Sequence, residues 1–200
     1  MQKVLTAYDR DGADRENPLG SARPWLRFEA ETGDVLQLAR EIQTMTIAAT
    51  VKSYIEGRGV AYEVIAHPAS SSSHETAEAA HVDEGHIAKA VILKDSAGAV
   101  MVVIPGNGWV SLSAIGKELD REMVLAEEED AAAYFPDCEP GAIPPLGPAY
   151  GMETLVDKAL TSLAYVYIES GDHRSLIKMD GEALPTLLSG VRHGYFCEDD

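Results

Sequence analysis

Two features of this sequence have residue types and spacing suited to chemistry. The first is a lysine in a run of apolar residues, Ile87-Ala88-Lys89-Ala90-Val91-Ile92-Leu93. Strand alternation puts Ile87, Lys89, Val91 and Leu93 on one face, and a lysine among apolar neighbours needs an anion or water as partner. Lys89 is therefore a candidate phosphate ligand. The alternative is an edge-strand lysine whose stem covers apolar surface while its ammonium reaches solvent. The second feature is Pro140-Gly141-Ala142-Ile143-Pro144-Pro145-Leu146-Gly147-Pro148, in which four prolines fix φ and restrict the residues before them. Such a loop is stiff. Its glycines allow the main chain to come close to a ligand, and its prolines leave carbonyls without competing amide donors. It could hold a substrate by main-chain contacts, or serve only as a rigid connector.

Other motifs point to less. Gly106-Asn107-Gly108-Trp109-Val110-Ser111 lies between a strand and a helix like a dinucleotide-binding turn, but it ends in Ser and lacks a surrounding βαβ unit. The six histidines, at 67, 74, 81, 86, 173 and 193, form no i, i+4 pair, and the two cysteines, Cys138 and Cys197, have no metal-ligand spacing. No metal or cofactor is expected. The nucleophile elbow, the phosphate-binding P-loop and the C-x-x-C pair are all missing, which removes the commonest serine hydrolase, kinase and redox readings. Cys138, beside Pro136 and Asp137, reads as a packing residue.

The elements that must position these residues begin with a helix carrying Ile47, Val51, Tyr54 and Ile55, closed by Gly57 and Gly59. A strand at Tyr62 to Ala66 follows, then a short helix whose Ser72 and Glu75 have capping-box spacing. Residues 88–93 and 99–104, flanking Asp95-Ser96-Ala97-Gly98, predict a hairpin. Further along, the pattern predicts a helix through Leu112, Ile115 and Leu119, a strand at Met123 to Ala126, and a helix from Glu127 to Phe135 with an acidic first turn. Strands at 154–157, 164–169 and 175–179 and a helix at 182–188 complete the reading. Hairpins mixed with helices, and no βαβ rhythm, point to an α+β domain around a mixed sheet or barrel with packed helices.

Composition sets the outer bounds. The chain has 200 residues, long enough for one domain with an appendage, and 46% of them are hydrophobic. No apolar run approaches the roughly 18 residues that span a bilayer, and the first residues do not develop into a signal peptide. A cytoplasmic protein without membrane contact is the expectation. The formal charge is −17, and from Met45 onward 10 Lys and Arg face 25 Asp and Glu. Duplex binding relies on basic side chains that neutralise phosphates, so DNA and any wide tRNA footprint are excluded as expectations. Residues 1–44 read as an appended segment with a strand-like Trp25 to Ala30 and a helical stripe at Val35, Leu38, Ala39 and Ile42.

Taken in order, several segments resemble the YbaK and prolyl-tRNA-editing superfamily of aminoacyl-tRNA deacylases. They are Tyr62 to His67, Thr76-Ala77-Glu78-Ala79-Ala80, the Lys89 strand, the Gly141 to Gly147 loop and Tyr167 to Met179. The family's loop has the form G-x-x-x-P, and Gly141 and Pro145 occupy its ends here. The resemblance implies a mixed sheet or barrel over residues 45–190, with residues 191–200 left as an acidic tail. It implies ester hydrolysis on mischarged tRNA engaged at its acceptor end, with Lys89 and Gly141 as catalytic positions. Ser72, Ser73, Thr76, Ala142, Ile143, Pro144, Pro145 and His173 would bind substrate. Lys89 would hold the terminal phosphate or ribose, the loop backbone would position ester and water, and a ribose hydroxyl of the substrate would act as base. Size exclusion would favour small amino acids such as Ala, Ser, Cys or Pro. The segment Ser73 to Ala80 is most similar to YbaK-like domains that also occur beside HDOD signalling domains. A binding or regulatory module without catalysis is the alternative, and the oligomeric state is left open.

Overall fold

In the computed structural model, residues 47–198 are described. The expected elements within 1–44 lie outside them. Helix α1 (Ala49–Glu56) buries Val51 and Ile55, the inward positions of its short stripe. It is anchored to the rest of the fold by Ala48 N–H, which donates to the Ser170 carbonyl at 2.9 Å, and by Thr50 N–H, which donates to Asp137 Oδ2 at 2.8 Å. Strand β1 (Glu63–Ala66) follows, then α2 (Ser73–Ala80). Ser72 caps α2 by accepting from Glu75 N–H, while the Glu75 carboxylate takes the N–H and hydroxyl of Ser71. The reciprocal half of the expected capping box thus falls one residue earlier than the spacing alone indicates.

The hairpin is β2 (Ile87–Asp95) and β3 (Gly98–Pro105). Asp95 Oδ1 closes its turn by accepting from Ala97 and Gly98 N–H. Gly98 has φ of 139°, a conformation that suits glycine. Helix α3 (Leu112–Leu119), the two-residue β4 (Val124–Leu125) and the short α4 (Glu128–Ala132) come next. They are followed by β5 (Glu153–Asp157), β6 (Tyr165–Glu169), β7 (Ser175–Asp180), α5 (Ala183–Leu187) and β8 (Arg192–Gly194). The helix expected over Glu127 to Phe135 is shorter because the apolar anchors of that segment, Ala131 and Phe135, lie on one side of barely more than one turn.

The eight strands form one mixed sheet in the order β1-β7-β6-β2-β3-β5-β8, with β4 on β2. The order runs from edge to edge without returning, so of the two expected forms the structure takes the sheet. β2 pairs with β6 in parallel and β3 with β5 in parallel. Central β3 is buried on both faces, as its unbroken apolar run requires. Met101 and Val103 join the main core with α1, α5, Phe135 and Leu146, whereas Val100, Val102 and Ile104 pack with Ile115, Met123, Leu155 and Phe196. A third cluster, Ala77, Ile87, Tyr167 and Leu176, seats α2 on the sheet.

The last described residues belong to the fold, in contrast to the tail expected from residue 191. β8 pairs in parallel with β5, Phe196 is buried, and the buried Asp157 carboxylate accepts from Phe196 and Cys197 N–H at 2.6 and 3.1 Å. The segment from Arg192 to Cys197 is fixed by one aromatic side chain and one buried acceptor. No helix among the described residues is long and apolar enough to cross a membrane.

Candidate active site

β2 has two neighbours on the side away from β3. β6 pairs with Ile87 and Ala88, and β4 pairs with Leu93 and Lys94. Between these pairings the edge of β2 is left to loops. A cleft of about 160 Å³ opens there, lined by Lys89 and Ala90 from β2, Ser71, Ser72, Ser73 and Thr76 from the start of α2, Gly141 and Ile143 from the proline loop, and Glu169 and His173 from the β6–β7 turn.

Lys89 is half-buried. Its ammonium donates to the Gly106 carbonyl at 2.7 Å, which uses one of three N–H donors. Burial lowers its pKa from the ordinary lysine value, opposed by the charge of Glu84. The ammonium therefore has an internal partner and is not simply an apolar-face lysine reaching for solvent.

The proline loop and the β6–β7 turn are knitted together. Glu139 N–H donates to the Gly171 carbonyl at 2.8 Å, and His173 Nε2–H donates to the Pro140 carbonyl at 2.7 Å. The buried Asp172 carboxylate organises the turn, its Oδ1 accepting from the N–H groups of Arg174 and Ser175 and the hydroxyls of Ser170 and Ser175. His173 is held at φ of 56°. A side chain in that region costs about 1–2 kcal/mol, which the Asp172 bonds offset. Gly141, at φ of 83°, presents its main chain to the cleft. A Cβ at this position would meet Glu128 Oε1 at 3.1 Å and the His173 ring at 3.4 Å.

Thr76 donates its hydroxyl to the Ser72 carbonyl at 2.8 Å and accepts from Ser70 Oγ at 2.7 Å, so the serine-rich wall is tied to the first turn of α2. The structure thus brings Lys89, Gly141, Ser72, Ser73, Thr76, Ile143 and His173 around one cleft. Ala142, Pro144 and Pro145 are buried and do not line it. The reason lies in the loop: Leu146, fully buried in the main core, draws the two prolines inward and leaves Gly141 and Ile143 to line the cleft.

Sequence reasoning missed Ser71, Ile87, Ala90, Leu176 and Glu169 of this lining, and of these Glu169 is the one that carries a charge. It ends β6, and its Oε1 accepts from Ser170 N–H at 3.0 Å and Gly171 N–H at 3.1 Å. Burial raises its carboxyl above the ordinary value, partly offset by the Gly171 bond and by His173 and His67. Alternation along Tyr165, Tyr167 and Glu169 carried the available signal, a carboxylate continuing an aromatic face. Neither thiol has nucleophile character: burial pushes both Cys138 and Cys197 up to about 11.

The model of the aminoacyl-tRNA editing domain family matches residues 67–187, a span that holds every residue of this cleft. The chain belongs to that family. Membership makes this aminoacyl-tRNA editing domain an aminoacyl-tRNA deacylase, an ester hydrolase acting on aminoacyl-tRNA. Among solved structures, a proposed trans-editing enzyme for prolyl-tRNA synthetase matches with a TM-score of 0.66 at 22% identity, covering 78% of this chain and 99% of that one. A hypothetical protein matches with a TM-score of 0.67 at 24% identity, covering 74% of this chain and 99% of its own. A proposed signal transduction protein from Marinobacter aquaeolei matches with a TM-score of 0.63 at 18% identity, covering 77% of this chain but 31% of that one. At these identities the likeness is one of fold. No match was found among curated proteins.

Proposed function

We propose that this editing domain hydrolyses the ester of a tRNA mischarged with a small amino acid, of the Ala, Ser, Cys or Pro class, engaging only the acceptor end. The observation that carries the reading is the meeting of Lys89, the Gly141 main chain, the serine-threonine wall and Glu169 around one cleft of about 160 Å³. That volume lies below the roughly 300–1,000 Å³ of ordinary ligand pockets, which suits an aminoacyl group with a short side chain.

In this reading Lys89 offers its two remaining N–H donors to the phosphate or ribose of the terminal nucleotide. The Gly141 main chain and the His173 ring, fixed on each other through Pro140, set the position of the ester carbonyl. Ser72, Ser73 and Thr76 bound the amino-acid side chain. Glu169 takes the substrate α-ammonium, the one cation that an aminoacyl ester brings with it. A water adds to the ester carbonyl carbon while a neighbouring ribose hydroxyl of the substrate accepts its proton. That hydroxyl passes its own proton to the departing ribose oxygen as the carbon–oxygen bond to the ribose breaks, so free amino acid leaves and the ribose diol is restored. An aminoacyl ester is reactive enough that orientation and charge placement suffice, without a side-chain nucleophile.

A panel of alanyl, seryl, cysteinyl, prolyl and threonyl esters on several tRNAs tests the reading. At least one is expected to turn over, and Lys89→Ala to lower kcat/KM by about 10- to 100-fold, the worth of one hydrogen bond from a charged group. No turnover above the buffer rate across the panel would overturn it. Binding at equilibrium without turnover would favour a regulatory module instead.

A further inference from the structure

A second hollow, of about 320 Å³, has two large aromatic side chains in its wall, Trp109 and Tyr195. Trp109 is 74% exposed and Tyr195 76% exposed. Each has a lysine ammonium over its ring, Lys89 at 5.7 Å from the Trp109 centroid and Lys158 at 5.0 Å from that of Tyr195. A single exposed aromatic needs no explanation. Here, however, residues 86 positions apart in sequence are brought to one hollow on main chain that is tied down. Trp109 C=O accepts from Glu198 N–H at 2.8 Å, Val110 bridges to Cys197, and Ser111 N–H donates to the Phe196 carbonyl at 2.7 Å. Tyr195 precedes Phe196, whose ring is buried and whose N–H is held by Asp157. A Cβ on Gly108 would come within 2.8 Å of Cys197 Sγ, so glycine is what lets the two segments pass this closely.

We propose that Trp109 and Tyr195 form a stacking platform for the unpaired nucleobases at the 3′ end of the aminoacyl-tRNA. This rests on the reading of the cleft as the deacylation site, to which the platform is linked by Lys89, a cleft residue whose ammonium stands over the Trp109 ring. The occupant follows from charge. The chain carries −17 overall and Asp157 and Glu198 line this hollow, so apart from Lys89 and Lys158 a phosphate backbone finds little to neutralise it. A base has no charge to repel. Stacking on aromatic rings is tolerant of base identity and gives grip without a basic surface. With Lys89 common to cleft and platform, the same ammonium can face the sugar-phosphate of the last nucleotide while a base lies on the indole.

The test uses the full chain. In a Trp25→Phe background Trp109 is the only indole, so its fluorescence reads titration with the trinucleotide CCA directly, whether or not any ester is hydrolysed. Saturable quenching is expected, and Tyr195→Ala is expected to weaken it. In deacylation, Trp109→Ala and Tyr195→Ala should each raise KM by about 5- to 100-fold with kcat unchanged, the range that alanine substitution of stacking residues gives. Trp109→Tyr should restore KM, because a smaller ring still stacks. Absence of quenching together with unchanged KM in the double alanine variant would overturn the platform while leaving the deacylase reading intact. A fall in kcat that Trp109→Tyr does not rescue would overturn it in favour of a structural role, and loss of self-association with no change in CCA binding would overturn it in favour of a contact between copies of the chain.

Discussion

Replacing Glu169 by Gln removes one charge from the cleft and little else. The amide oxygen can keep the bonds that Oε1 now accepts from Ser170 and Gly171 N–H, so the β6–β7 turn should retain its shape. What is lost is the charge facing a substrate ammonium. A hydrogen bond to a charged group is worth about 1.5–3 kcal/mol, and every 1.36 kcal/mol is tenfold. Because the cleft is open to water on one side, the lower half of that range applies, and kcat/KM should fall by about 10- to 50-fold. The assay compares an aminoacyl-tRNA with the same ester N-acetylated, which has no ammonium. The wild type should prefer the free amine by a similar factor, and Glu169→Gln should lose the preference while hydrolysing the acetylated ester as well as the wild type does. If the variant keeps the wild-type rate and preference, Glu169 does not read the amine.

The same residue sets a pH dependence. Burial first, with the Gly171 bond and His173 acting against it, raises the Glu169 carboxyl above its ordinary value. The acid limb of kcat/KM should therefore lie above the ordinary glutamate range and should vanish in Glu169→Gln. The effect on folding has a definite sign. A raised folded-state pKa gives stability that is complete below the unfolded value and is lost as pH rises through the folded one. Glu169→Gln should accordingly gain stability relative to the wild type as pH climbs from the acid side toward neutral, read as a difference in urea midpoints.

Three further outcomes are expected. Gly141→Ala must adopt φ of 83° with a methyl 3.4 Å from the His173 ring, at a cost of about 1–2 kcal/mol, so Tm should drop by a few degrees while deacylation falls more steeply. Equal losses in the two would mean that Gly141 is structural only. Leu146→Ala, at a fully buried position, should cost about 2–5 kcal/mol in denaturant unfolding and should loosen the loop that carries Gly141. Asp95 is held well below the ordinary carboxylate range by Arg121, whose Nε and Nη2 donate at 2.7 and 2.5 Å, and by the turn N–H groups. Its contribution is present above the ordinary aspartate pKa and lost as pH falls below it, so the stability gap between wild type and Asp95→Asn should close in strong acid and stay constant from pH 5 to 7.

The hairpin, α3 and strands β5, β6 and β7 were legible in the sequence because their apolar period and turn residues agree. Lys89 was legible for a simple reason: a charged residue in a β-branched strand breaks the pattern. The proline loop was legible as a stiff segment but not side by side, since alternation says nothing about a loop. Which of its residues face the cleft is decided by Leu146 entering the core, a tertiary event. Strand β8 was hidden because Arg192-His193-Gly194 has no strand-like composition and pairs only because Asp157 captures the backbone beyond it. Glu169 was hidden because a terminal strand carboxylate is ordinarily solvated, and only the fold shows that the β6–β7 turn closes over it.

The cleft owes its place to a change of partner along one strand. β6 leaves β2 after Ala88, and β4 meets it again only at Leu93. Ile92 C=O accepts from Ala126 N–H on that side at 2.9 Å, and strand alternation turns the main-chain groups of Ala90 the same way, into the gap. A sheet with a fully paired β2 would have no such opening, however well Lys89 were placed. Lengthening β4 so that it pairs back toward Ala90 would therefore close the site without touching any side chain assigned to it, and a variant that did so and still hydrolysed aminoacyl-tRNA would show the chemistry to lie elsewhere.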